Sequence, residues 1–469
     1  MKTRTITDTA VDLREGRVTA TELVEEGLAN ADARDGELGV YITRFDDSAR
    51  EAARAADERI ASGAPIRPLE GIPVGIKDNM AARGGPTTAN SLILDPAWGE
   101  TAGDAAVVRR VKEAGGIVTG KVTTMEFAAG IPDAAKPFPV PRNAWDSDRW
   151  AGGSSSGSGS GVAAGMFLGA LGTDTAGSIR MPAAYNGITG LKPTFGRVPR
   201  SGIVPLAHTL DHIGPMARSA ADCALLLSVL AGADASDGFA SREPVDDYPG
   251  ALNGDLTGVR IGVDDLDRYA LQGIDPAQPA LFANALRQLE EAGATIVPVT
   301  LPMYEEASVI DLVVMASEAL TYHLPDLKER WDDYSQGLRV SLGAASVLSA
   351  ADYIQAQRVR RVVRERVAAV FHEVDLVITP TGHQGAPALA DFSGAEPLNA
   401  MRSIHTLYWN PVGVPTLAVP IGLSTEHTPL SLTIAGRAWE DALVLRAGDA
   451  LQRRTDFHLQ EPGPVPAAA

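Results

Sequence analysis

One cysteine in 469 residues leaves the chain without any internal disulfide framework. That residue, Cys223, stands in SAADCALLLSVLAG, an apolar helical stretch, and reads as a buried small hydrophobe rather than a reactive thiol. No apolar run reaches membrane-spanning length and no apolar segment precedes the first helix. No anchor or leader is evident, and the expected compartment is the cytoplasm. Positive charge is in deficit: 41 basic residues face 59 acidic ones, a formal net charge of −18. Such a balance argues against nucleic acid and anionic membrane surfaces as partners. Metal-site patterns are also missing. His208 and His212 are four apart, but HTLDH lacks the glutamate of a zincin, so no metal is expected. Lysine is scarce beside arginine: Lys2, Lys77, Lys112, Lys121, Lys136, Lys192 and Lys328 are all there are.

Glycine and serine, by contrast, are concentrated in one run from Gly152 to Thr194, GGSSSGSGSGVAAGMFLGALGTDTAGSIRMPAAYNGITGLKPT. Within it MFLGALGTDT is apolar and bounded by glycine, which predicts a buried strand ending near Asp174. A loop TAGS follows, then a short helix from Ser178 through Tyr185 with Ser178 at the capping position. Amides exposed at such a turn are suited to an oxyanion, and Ser178 is placed as a nucleophile. A serine hydroxyl needs a base, and lysine can serve only when burial keeps it neutral. Lys77 closes the apolar strand of EGIPVGIKDNM, where Ile72, Val74 and Ile76 give it a hydrophobic approach. A solvated lysine at a strand end is the plainer alternative.

Competing motifs are weaker. Gly153 to Gly157 fits G-x-S-x-G, which would make Ser155 the nucleophile, but WDSDRWAGG is a poor strand to precede an elbow. Gly159 to Ala164 fits a dinucleotide fingerprint without its strand-turn-helix setting. GGIVTGKV, from Gly115 to Val122, ends in a valine that cannot ligate magnesium.

The long glycine-serine run resembles the signature of the amidase signature enzymes. The likeness extends through EGIPVGIKDNM, GGIVTGKVTTMEFAAG, RNAWDSDRWAGGSS, LDHIGPMARSAADCALLL, DLVITPT, WNPVGVPTLAVPIG and LTIAGRAWEDALVL, in that family's order. The resemblance implies Ser178 as nucleophile, Ser154 as a bridging serine after a cis peptide from Gly153, and Lys77 as base. It also implies oxyanion amides from Thr175, Ala176, Gly177 and Ser178, with support from Ser155, Asp174 and Arg180. Met125 and Gly130 fall where that family's backbone lines the cleft. The implied activity is hydrolysis of a carbon–nitrogen bond in an amide, anilide or carbamate (a urethane), with no cofactor and a small-molecule substrate. A homodimer is a common assembly of the family.

A second activity that shares the signature is that of the glutamine-hydrolysing subunit of a tRNA-dependent amidotransferase. Arg339 falls where that branch uses an arginine for the glutamine carboxylate, whereas RSIHTLYWN offers Ser403 near the place of the acid that would receive the amine. Met315, Tyr322, Tyr408 and Trp409 fit a substrate pocket or plain core packing equally.

For architecture, the strand candidates TGVRIGV, GATIVPVTLP, VDLVITPT, PTLAVPIGL and LSLTIAG alternate with helices such as PALFANALRQLEEAG and EDALVLRAGDALQRR. Alternation on this scale predicts one α/β/α sandwich with helices on both faces of a central sheet; the family's sheet is mixed. The expected division is a helical N-terminal arm over 1–68, with capping-box spacing at Thr19 and Glu22, a catalytic core over 69–232, and the rest of the sheet and pocket over 233–469. RVRRVVRERV reads as the solvated face of a helix.

Overall fold

A computed structural model describes residues 4–392 and 404–463. Its described strands are β1 (Tyr41–Arg44), β2 (Pro73–Lys77), β3 (Ile117–Val122), β4 (Gly169–Asp174), β5 (Thr189–Lys192), β6 (His212–Ala217), β7 (Arg260–Val263), β8 (Thr295–Pro298), β9 (Leu376–Pro380), β10 (Thr416–Leu423) and β11 (Pro429–Gly436). All eleven lie in a single sheet, ordered β1-β3-β2-β4-β6-β5-β10-β11-β9-β7-β8. The sheet is mixed: β3, β2 and β4 are parallel, as are β9, β7 and β8, while the strands between pair antiparallel.

Strand β4 shows how the two faces are filled. Successive side chains of a strand point to opposite faces. Ala170 joins a core with Val162, Ile179 and Ala183, contributed by and beside the helices Ser156–Ala163 and Arg180–Asn186. Leu171 joins the larger core with Leu226, Leu227 and Leu451, from Ala220–Leu230 and Asp441–Gln452. Both faces are therefore covered, and the central strands are buried along their whole length.

The N-terminal segment forms its predicted helix Ala20–Leu38, with the Thr19–Glu22 capping box in place, and also contributes β1 at the sheet edge, antiparallel to β3. Cys223 is fully buried in Ala220–Leu230. Two expectations need correction. The arginine-rich stretch in the helix Ala350–Glu373 is not a uniformly solvated face: Arg360 is buried and donates to the carbonyls of Pro411 and Thr209, which keeps its desolvated guanidinium satisfied. The helix Tyr304–Glu329, at 26 residues, is long and apolar enough by length and composition to cross a membrane. It packs here against Ala350–Glu373, with Ala307, Ile310 and Val314 in the core.

Candidate active site

Parallel pairing sets β2 beside β4, and the chain leaves both strands at the same end, so Lys77 and Asp174 arrive together. Lys77 is completely buried. Its Nζ donates to Ser154 Oγ at 2.8 Å and to Thr173 Oγ1 at 2.7 Å, neutral partners both. Burial pulls its pKa down to about 7, with the charges of Asp174 and Asp211 working in the opposite direction. A neutral amine is thus accessible at ordinary pH.

The peptide bond between Gly153 and Ser154 is cis. Serine density in this run has a structural reason beyond Ser154. Ser155 donates to Thr173 O at 3.1 Å, Ser158 to Leu171 O at 3.0 Å and Ser160 to Arg142 O at 2.8 Å, fastening a fully buried helix of small residues to its neighbours. Ser155 also accepts from Thr173 N–H at 3.2 Å and is inaccessible, which removes the elbow reading. Gly159 and Gly161 lie inside that helix, and the GGIVTGKV stretch forms β3, so neither makes a phosphate loop. Exposed His208 and buried His212 form no metal pair, and among the described residues no group of three metal-ligating side chains converges.

The loop after β4 is held from beneath. Asp174 accepts from the amides of Gly177 at 2.9 Å and Ile179 at 3.2 Å, and its carboxylate pairs with Arg180 through two bonds of 2.9 Å. Burial pushes the Asp174 carboxyl up, but the charge and hydrogen bonds of Arg180, with Lys192 and Asn410, overcome it and hold the group below the usual carboxylate range. The helix begins at Arg180 rather than Ser178. Asp174 therefore does the capping, and Ser178 is left free of that task. A second correction concerns the oxyanion amides: the Gly177 N–H is directed at Asp174, so it is not among those left for an oxyanion. Gly177 is instead required by space. Its φ is +121°, and a Cβ there would stand 2.0 Å from Thr406 Oγ1.

Ser178, unlike the serines of the helix, is partly exposed. It shares a cleft of about 130 Å³ with Ser154, Ala176 and Gly130. The walls are Ile131, Trp150, Leu206, Leu312, Met315 and Ser341, and no charged side chain is among the described residues lining it. Gly130 and Met315 thus face the cleft. Met125 lies behind the wall, packed on Trp150, with its amide donating to Ser154 O at 3.3 Å. Tyr408 and Trp409 are core residues: both are fully buried, and Tyr408 stacks on Tyr304 and donates to Pro302 O. Tyr322 is outside the cleft. Arg339 is on the helix Gln336–Ala345 that supplies Ser341, but its guanidinium is paired with Asp332 at 3.1 Å. Ser403 lies outside the described residues.

Sequence reasoning missed three supporting side chains. Thr173 shares the Lys77 amine; Thr406 donates to Ala176 O at 2.8 Å and gives its own carbonyl to Arg180; Asn410 donates to Asp174 Oδ1 at 2.8 Å. Thr173, adjoining Asp174 in the strand, was open to inference. The other two come from a remote segment: Asn410 stands in the WNPVG stretch that carries part of the family likeness, but nothing local ties it or Thr406 to the loop after β4.

Comparison with known proteins gives this architecture a family. The family model for amidases matches residues 22–445. A glutamyl-tRNA(Gln) amidotransferase subunit of Chloroflexus aggregans is 38% identical over 473 residues, covering 96% of each chain. A solved structure of a bacterial aryl acylamidase of the amidase signature enzymes superposes with a TM-score of 0.88 at 26% identity, covering 99% of both chains. Another, from work on a vestigial protein complex and the origins of an s-triazine catabolic enzyme, gives 0.87 at 33% identity, covering 96% of this chain and 98% of that one. With the family model spanning most of its length, the chain belongs to the amidase signature family.

Proposed function

We propose that this enzyme hydrolyses the carbon–nitrogen bond of small uncharged amides, anilides and carbamates, with Ser178 as nucleophile, Ser154 as proton relay and Lys77 as base. The observation that carries this reading is a buried lysine, depressed to about 7 and bonded to Ser154, beside a cleft whose described lining is uncharged. Ser178 Oγ attacks the acyl carbon. Its proton passes to Ser154 Oγ, whose own proton goes to neutral Lys77. The amides of Thr175, Ala176 and Ser178 stabilise the oxyanion, each donor of this kind being worth roughly 10²–10³ in rate. Collapse of the tetrahedral adduct breaks the C–N bond, and the relay runs backwards to protonate the leaving amine. Water then repeats attack on the ester of Ser178, releasing a carboxylic acid, or a carbonic half-ester that loses carbon dioxide.

A second reading, glutamine hydrolysis within a tRNA-dependent amidotransferase, is favoured by the names of the curated relatives. Against it stand the pairing of Arg339 with Asp332 and the absence of charge among the described cleft residues. One assay separates the two. Release of 4-nitroaniline from an acetyl anilide and from a matching carbamate is followed beside ammonia release from glutamine, for the native chain and Ser178→Ala. Anilide or carbamate turnover lost in the variant supports hydrolysis of small neutral substrates. Serine-dependent ammonia release from glutamine alone transfers the assignment to the amidotransferase reading, and turnover surviving in Ser178→Ala removes Ser178 as nucleophile.

A further inference from the structure

A second crevice, of about 530 Å³, opens between the helix Ala350–Glu373 and the segments that follow β5 and β11. Its floor is apolar, built from Phe195, Val367, Phe371 and Val412, with Trp439 as one wall. Every ionisable residue among those described as lining it is basic: Arg364, His372 and Arg437. In a chain of net charge −18 that is a local reversal of sign.

The three basic groups are not equivalent. Arg437 is answered by Asp375 at 3.1 Å and Glu440 at 3.2 Å. Arg364 has no carboxylate partner among the described residues. Its Nε donates to Pro411 O at 3.0 Å and Val412 O at 3.1 Å, which fixes the guanidinium plane and leaves the two terminal amino groups uncommitted. The residue as a whole is exposed, although partial desolvation of its guanidinium lowers its pKa. Gly413 keeps the space beside it open, since a Cβ there would stand 3.1 Å from Arg364 Nη2.

Trp439, which shares the lining, is held by its neighbours. Trp439 has a φ of +72°, a conformation non-glycine residues rarely adopt. It is secured by its amide to Thr194 Oγ1 at 2.9 Å, by the Thr194 hydroxyl to Asp441 at 2.6 Å, and by Arg197 stacked 4.7 Å over the ring. A planar charged fork and an indole lining the same apolar crevice match a ligand with a carboxylate at one end and a flat or aliphatic body at the other.

We propose that this crevice binds small amphiphilic carboxylates, aryl or alkyl, with Arg364 taking the carboxylate through its two terminal amino groups and Trp439 covering the body. The site is separate from the cleft of Ser178. It is connected to it through the carbonyls Arg364 holds, because Asn410, next to Pro411, bonds to Asp174 under the catalytic loop.

The test is a titration of the full chain with 2-naphthoate and with neutral 2-naphthamide, read by calorimetry and tryptophan fluorescence, in a Ser178→Ala background so that nothing is turned over. The expected result is saturable one-site binding of the acid, with the amide about tenfold weaker or worse, the loss expected when a charged hydrogen bond is removed. Arg364→Met should weaken the acid by a similar factor. Ala368→Glu adds a negative charge to the exposed lining without touching the Arg364 backbone contacts, and should do the same if Arg364→Met does not fold. Equal affinity for acid and amide, unchanged affinity in a folded Arg364→Met or Ala368→Glu chain, or absence of binding would overturn the proposal. Since binding is read without catalysis, its failure leaves the hydrolase reading untouched.

Discussion

Lys77 ties a measurable pH dependence to a single side chain. If its neutral form takes the proton, kcat/KM for an uncharged substrate rises with pH, with a midpoint near the folded value of about 7, and then levels. Lys77→Ala should lower kcat by roughly 10²–10⁴ and abolish that limb of the profile. Stability carries the same signature with a definite sign. The folded pKa lies below the ordinary lysine value of 10.5, so the unfolded chain binds more protons between about 7 and 10.5. Unfolding free energy therefore rises with pH across that window. Lys192, also depressed to about 7 by burial and the nearby Arg180, adds to the same slope. Denaturant melts at both ends of the window should show a shallower rise in Lys77→Met than in the native chain. Gly177 gives a different kind of test. Gly177→Ala should lose activity and stability, and Thr406→Ala should not rescue it, because Thr406 Cβ itself would stand 2.4 Å from the added methyl; activity and thermal melting of the double variant decide this.

The loop after β4 is a small element whose amides are anchored chiefly by one buried carboxylate, Asp174, with Thr175 on Asp211 and Thr406 on Ala176 O as further ties. Breaking a buried, hydrogen-bonded ion pair on one side leaves the other charge stranded and costs about 3–5 kcal/mol. Arg180→Met should destabilise the chain by that order, measured by chemical denaturation, and reduce kcat further than stability alone accounts for, since the oxyanion amides lose their anchor. How much of this element is legible in the sequence depends on locality. The strand ending at Asp174 and the apolar approach to Lys77 are written in contiguous residues, and both form as expected. The strand candidates from TGVRIGV to LSLTIAG are also strands; for β9, β10 and β11 near-continuous burial on both faces leaves an uninterrupted apolar run, whereas β7 and the edge strand β8 are only partly buried. The helix start at Arg180 is not legible, because an acceptor from the preceding strand, Asp174, replaces the local serine cap. Tyr408 and Trp409 are ambiguous for a physical reason: a buried aromatic in a core and one in a pocket have the same sequence signature, and only the stack on Tyr304 separates them. Burial of Arg360 escapes the sequence because its acceptors, Pro411 and Thr209, are far away along the chain.

At the scale of the molecule, the surplus of acidic residues has an electrostatic consequence for any role near tRNA. A chain of net charge −18 gains little from counterion release by phosphates. By itself it should show no retention of tRNA in a filter-binding assay even at low salt. Were the protein part of an amidotransferase, the basic surface that holds tRNA would have to belong to another chain. The single sheet also distributes the site widely. Lys77 arrives on β2, Ser154 precedes the helix Ser156–Ala163, Ser178 follows β4, and the supports Thr406 and Asn410 come from between β9 and β10. Thus Lys77, Ser154 and Ser178 all precede β5, whereas Thr406 and Asn410, which brace the loop beside them, follow β9. A ribosome making this chain extrudes Lys77 and the two serines well before Thr406 and Asn410, so the loop after β4 emerges before two of its braces have been synthesised.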